Sequence, residues 1–155
     1  RMNRYCRTVD PKFLEGVNRK KPRTMEELED LWYQTQNADG NRYTHYNSSR
    51  YRVCNLHSFF HGHHTIEFRL FQFDCPHDGK QNGMHAGQVK SFIQLCLAIN
   101  QLAKMVRTAS PKPQQTENEK YAMRCWMLRL GFIGDEFKTA REYYLNNMEG
   151  NSAWR

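Results

Sequence analysis

Apolar residues recur at helical spacing near both ends of the 155-residue chain and alternate with polar ones in the middle. Asp10 before Pro11 opens a predicted helix whose short apolar face is Phe13, Leu14 and Val17, and "RKKPR" ends it. Thr24 and Glu27 form a capping box that starts a second helix through about Trp32, burying Met25, Leu28, Leu31 and Trp32. "NADGN" then turns the chain. Residues 50 to 58 alternate as a strand does, with Tyr51, Val53, Asn55 and His57 on one face and Arg52, Cys54 and Leu56 on the other. Residues 64 to 73 repeat the period, and the short "FFHGH" link predicts a hairpin or neighbouring pair.

After the loop "CPHDGKQNGMHAG", the longest helix is expected over about residues 88 to 106. Val89, Phe92, Ile93, Cys96, Leu97, Ile99 and Ala103 would face the sheet across which it packs. "SPKPQQ", residues 110 to 115, reads as an internal linker. Thr116 with Glu119 predicts another capped helix through Leu130, stopped by Gly131. A final helix over about residues 135 to 148 presents Phe137, Ala140, Tyr144 and Met148. There is no internal repeat. The expectation is one α+β domain, a small antiparallel or mixed sheet packed by several helices.

Composition narrows the classes. No apolar run approaches the roughly 18 residues of a membrane helix. Five cysteines at irregular spacing, with Cys96 and Cys125 on apolar helix faces, predict reduced thiols and hence a cytoplasmic location rather than a disulfide framework. Arg1 as first residue predicts a fragment or processed form. The net charge of +7 is concentrated in residues 1 to 23, where eight Lys/Arg face only Asp10 and Glu15. That segment reads first as a solvated face. It also keeps open an alternative function, a non-catalytic basic module binding phosphate-rich partners, although no nucleic-acid motif accompanies it. All seven histidines lie between residues 45 and 85, but their spacing with Cys54 and Cys75 does not match structural zinc modules.

The stretch "HHTIEFRLFQFD", residues 63 to 74, carries the candidate chemistry. On a strand, Ile66, Phe68 and Leu70 share a core face while Thr65, Glu67, Arg69 and Phe71 share the other. Glu67 and Arg69 would then stand about 7 Å apart, too far for an ideal mutual contact and spaced to hold something between them. A structural ion pair or a solvated face explains the same alternation.

The surrounding text resembles a known family. "SRYRVCNLHSFFHGHHTIEFRLF" and "MHAGQVKSFIQLCLAI" are similar to the R-Y-x-x-x-N-L, T-[VI]-E-F-R-L-F and H-A-x-x-[VI]-K segments of the amidoligases, a branch of the glutamine synthetase-like carboxylate-amine ligases. "NRYC", "TMEELEDLWY" and "LGFIGDEFKTAREYYL" extend the likeness across nearly the whole chain.

The resemblance implies part of a glutamine synthetase-like catalytic domain in which ATP activates a carboxylate as an acyl phosphate and an amine displaces phosphate. Such chemistry uses Mg2+, held by acids, and cations for the phosphoryl group. The resemblance makes Glu67 a magnesium ligand, and Arg69 a contact for phosphate or the substrate carboxylate. Arg52 is assigned to catalysis in the same way, with Asn55 a substrate- or nucleotide-binding residue that orients by hydrogen bonds. His57 is a weaker substrate- or nucleotide-binding candidate, and His85 matches the helix-entry position, where capping is an equal alternative.

The implied partners are ATP and carboxylate and amine substrates, whether amino acid, peptide or protein side chain. Homo-oligomers are compatible with related folds that build sites between subunits. The family's opening strand with paired glutamates has no counterpart upstream of residue 50, so the chain reads as the downstream part of a larger domain. Its loop 72 to 83 looks longer than the family's usual link.

Overall fold

Asp10 precedes Pro11 with extended backbone, and its carboxylate accepts a hydrogen bond from the Lys12 N–H at 2.9 Å, so helix α1 runs Pro11–Lys20 as its N-terminal signals predict. The computed structural model describes residues 5–36, 41–71, 85–146 and 148–153. The predicted turn at 37–40 and the loop 72–83, with Cys75 and His77, lie outside them. The chain divides into two compact units, residues 1–71 and 72–155.

In the first unit, α2 spans Met25–Thr35, a turn longer than expected. Thr24 Oγ1 accepts from the Glu27 N–H at 3.2 Å, while the Glu27 carboxylate reaches back to the Arg23 N–H at 2.7 Å instead of Thr24. Leu31 and Trp32 are buried and Leu28 packs against them, with Phe13 edge-on to the Trp32 ring at a centroid distance of 5.0 Å. Each such side chain contributes about 1.5–3 kcal/mol. Leu14 and Met25, expected in this core, are exposed. Gly16 lets the helices approach: a Cβ there would stand 2.7 Å from Leu31 Cδ1.

The sheet is much smaller than the alternation predicts. It consists of β1, Cys54–Asn55, paired antiparallel with β2, Glu67–Phe68, in a register that sets Cys54 opposite Phe68 and Asn55 opposite Glu67. Beside it, Arg7 bridges Arg52 in parallel through Arg7 N–H to Tyr51 O (3.0 Å) and Val53 N–H to Arg7 O (2.8 Å).

The expected strand over 50–58 is interrupted at both ends. Ser48–Arg50 forms a 3-10 turn, and His57–His61 forms helix α3, so "FFHGH" is not a hairpin link. The cause is Asn55, whose Oδ1 accepts from the His57 N–H at 2.9 Å and curls the chain into α3. Ile66 and Leu70, expected on a core face, are exposed.

In the second unit, α4 spans Ala86–Met105, α5 Glu119–Arg129 and α6 Lys138–Asn146, the last preceded by a 3-10 turn at Asp135–Phe137. The cap of α5 is Asn118, whose Oδ1 accepts from the Tyr121 N–H at 3.0 Å; Thr116, the predicted cap, instead accepts from the Asn118 N–H at 3.2 Å. Gly131 ends α5 at φ 81°, with its N–H bonded to Leu128 O and that of Phe132 to Met127 O, both at 3.0 Å.

Phe132, Met127, Leu130, Ala140 and Leu95 form its buried apolar set. Phe137 stacks on Phe132 at 4.8 Å, and Tyr144 donates from α6 to Ser91 O on α4 at 2.8 Å. Ile93 and Leu97, expected on the apolar face of α4, are exposed. The fold class is α+β as expected. No helix among the described residues is long and apolar enough to cross a membrane.

Candidate functional site

Asn55 is the residue from which the site is built. It is fully buried at the β1–β2 pair, and its Nδ2 donates to Glu67 Oε2 at 2.7 Å and to Ser58 Oγ at 3.0 Å. Together with the bond to the His57 N–H, this fixes the Glu67 carboxylate relative to β1 and α3 at once.

Glu67 and Arg69 share a face, but they do not stand apart. Arg69 Nη2 donates to Glu67 Oε2 at 3.1 Å, and Nε lies 2.9 Å from Oε1, close enough for ion pairing although its N–H is off the line to the oxygen. The expected gap fails because Cα spacing along a strand does not limit two long side chains that lean together. Burial pushes the Glu67 carboxyl up, yet the hydrogen bonds from Arg69 and Asn55 and the charges of Arg69 and Arg50 outweigh it and hold the group below the usual carboxylate range. About two-fifths of the Glu67 side chain remains exposed.

Arg52 is placed elsewhere. Its Nη1 donates to Thr8 O at 3.0 Å and its Nη2 to Gln36 O at 2.7 Å, tying the segment before α1 to the end of α2. None of its hydrogen bonds among the described residues goes to Asn55, Glu67 or Arg69.

Arg50 is the cation the sequence expectations leave out. Its guanidinium carbon lies 6.0 Å from the Tyr51 ring centroid, and that of Arg69 lies 5.6 Å from the same ring. Counted back from Asn55, the arginine that opens R-Y-x-x-x-N-L is Arg50, and that count is the signal that finds it.

His57 adjoins the site through α3. It is buried, its Nε2 donates to Thr44 O at 3.0 Å, and its Nδ1 therefore accepts from the Tyr33 hydroxyl. Burial lowers its pKa, which nearby His61, Arg50 and His45 reinforce against the Thr44 hydrogen bond, so the ring is neutral. Burial and the Glu29 charge push the Tyr33 phenol up to about 12, keeping it a donor. Its neighbours form a second polar cluster: His61 Nε2 lies 2.7 Å from Glu29 Oε1, and Arg42 reaches Glu29 at 3.4 Å and Asp30 at 2.6 Å while covering the Tyr33 ring.

His85 caps α4, with Nδ1 accepting from the Gly87 N–H at 3.1 Å, and the Tyr143 hydroxyl lies 2.8 Å from the same nitrogen. Among the described residues, no three His, Cys, Asp or Glu side chains are grouped to hold a metal ion. A cleft of about 310 Å³ lined by Lys20, Pro22, Glu27, Asp30, Leu31 and Gln34 includes none of the expected site residues.

No curated protein and no solved structure matches the chain. A family model described as "Putative amidoligase enzyme" matches residues 1–100, which takes in the Asn55, Glu67 and Arg69 cluster and most of α4. "LGFIGDEFKTAREYYL" lies beyond the matched residues. With nearly two-thirds of its length under that model, the chain belongs to the amidoligase family.

Proposed function

We propose that the Asn55–Glu67–Arg69 cluster serves an ATP-dependent carboxylate-amine ligase that forms an amide through an acyl phosphate. The observation that carries this reading is a carboxylate and a guanidinium held as a preformed pair by a fully buried amide, inside the residues that match the amidoligase model. Membership in that family supports ligase chemistry.

Magnesium keeps several waters and leans on substrate phosphates, so one or two protein carboxylates suffice to hold it. Glu67 fits as one such ligand: its carboxyl is ionised, partly exposed and prevented by Asn55 from swinging away. When bound, the metal would neutralise the phosphate chain and so favour phosphoryl transfer. Arg69 spends its planar donor fork on Glu67 and so keeps the acid charged and oriented. His57, neutral and locked in one tautomer, holds α3 against α2 through Tyr33, and in this reading it supports the cluster from α3.

Calorimetric titration of Mg-ATP into the full-length natural protein that carries these residues tests the reading. Glu67→Gln is expected to weaken binding at least tenfold. Unchanged affinity in that variant, or no saturable binding in the parent, overturns it.

A further inference from the structure

Three arginines lie between residues 50 and 69, and their surroundings differ. Arg69 is neutralised by Glu67. Arg52 commits both Nη groups to backbone carbonyls. Arg50 forms no ion pair among the described residues. It donates from Nη1 to His45 O at 3.0 Å, and its Nε is buried without an acceptor among the described residues, as is that of Arg52. Its guanidinium carbon lies 5.4 Å from the Tyr46 ring centroid and 6.0 Å from that of Tyr51. The aromatic faces hold the cation in place without consuming its charge or its remaining donors.

Tyr51 joins this cation to the Glu67–Arg69 pair, because the Arg69 guanidinium lies against the same ring. The cluster therefore carries one acid and two bases, an excess of one positive charge beside an internally satisfied pair. The Nε is enclosed, but the Nη2 group makes no hydrogen bond among the described residues and is the donor an incoming oxyanion would meet.

The geometry points to Arg50, rather than Arg52 or Arg69, as the residue that receives the anionic group of the substrate, a phosphoryl or carboxylate oxyanion taken by its free donors. This rests on the ligase reading for what the anion is, but not for its binding. Arg50 anchors the oxyanion, and the Glu67–Arg69 pair stands beside it.

The test is NMR titration of the chain with inorganic phosphate and, separately, succinate, at constant ionic strength without magnesium or nucleotide, following the Arg50 Nε–Hε signal. A saturable shift of that signal is expected. It should weaken at least tenfold for the same anion, read from backbone amides, in Arg50→Lys and Arg50→Gln. Response to phosphate alone marks a phosphoryl site, and response to succinate alone marks a carboxylate site.

No saturation with either anion overturns the inference, as does parental affinity in both variants. If the variants unfold on heating earlier than the parent, the parental Arg50 signal decides alone. Failure here with Glu67→Gln still weakening Mg-ATP binding removes Arg50 only. A saturable Arg50 shift with Glu67→Gln inert removes the ligase reading only.

Discussion

Around β1 and α3 the first unit buries Asn55, His57 and Ser49, with Asn47 and Gln36 also enclosed. The second buries Leu95, Met127, Leu130, Phe132 and Ala140, with Ser91 as the buried polar residue among those described. Both units also have apolar contacts, Phe13, Leu31 and Trp32 serving the first. The difference lies in what is fixed. Hydrocarbon packing sets how close helices come, whereas a buried amide that bonds in three directions sets where a particular carboxylate points. The polar interior is the one that adjoins the charged cluster.

The largest expected effect tests the apolar side of this contrast. Phe132→Ala should cost about 3–5 kcal/mol in urea unfolding, because a fully buried ring between Phe137 and Tyr144 leaves a cavity. A loss under about 1 kcal/mol would mean the second unit is packed less tightly than its burial implies.

Asn55→Ala comes next. It leaves the Ser58 hydroxyl and the His57 N–H without their partner and frees the Glu67 carboxylate, still paired with Arg69, to swing, and about 2–4 kcal/mol is expected by the same measurement. If Asn55→Ala is neutral, the polar interior is mere filling and the contrast collapses.

The smallest effect sharpens the comparison through pH. His57 has its folded pKa below the ordinary 6.5, chiefly from burial. Above 6.5 the ring is neutral in both states and its contribution is fully present. As pH falls through 6.5 the unfolded chain takes the proton first, so stability declines. Melting temperature followed from about pH 8 to about pH 5 should fall on the acid side, and less so in His57→Gln. An identical profile in that variant would place the pH dependence elsewhere.

The helices were legible because their ends carry local chemistry: Asp10 with Pro11, Thr24 with Glu27, and Gly131 each act within a few residues. Thr116 misled because Asn118, an equally good cap two residues nearer, sits inside the same motif. The strands were overextended because alternation over 50–58 is a weak signal beside a single Asx turn. Once Asn55 accepts from the His57 N–H, the period of 2 ends whatever Leu56 and His57 would prefer.

At the site, the shared face of Glu67 and Arg69 follows from spacing alone, while their direct pairing depends on rotamers that sequence does not specify. Arg50 was readable by counting the motif, yet its standing among three arginines depends on which carbonyls and rings each one meets.

The close approach of α1 and α2 at Gly16 bears on how the chain can diverge. Positions 16 and 31 share one small volume, since a methyl at 16 would overlap the branch of Leu31. A lineage that gains a side chain at 16 must turn or shorten residue 31 or spread the two helices, and spreading them would disturb Trp32 beside Leu31 and the Tyr33 hydroxyl that His57 relies on. Substitutions at these two positions are therefore expected to travel together among relatives, a paired trace of one missing Cβ.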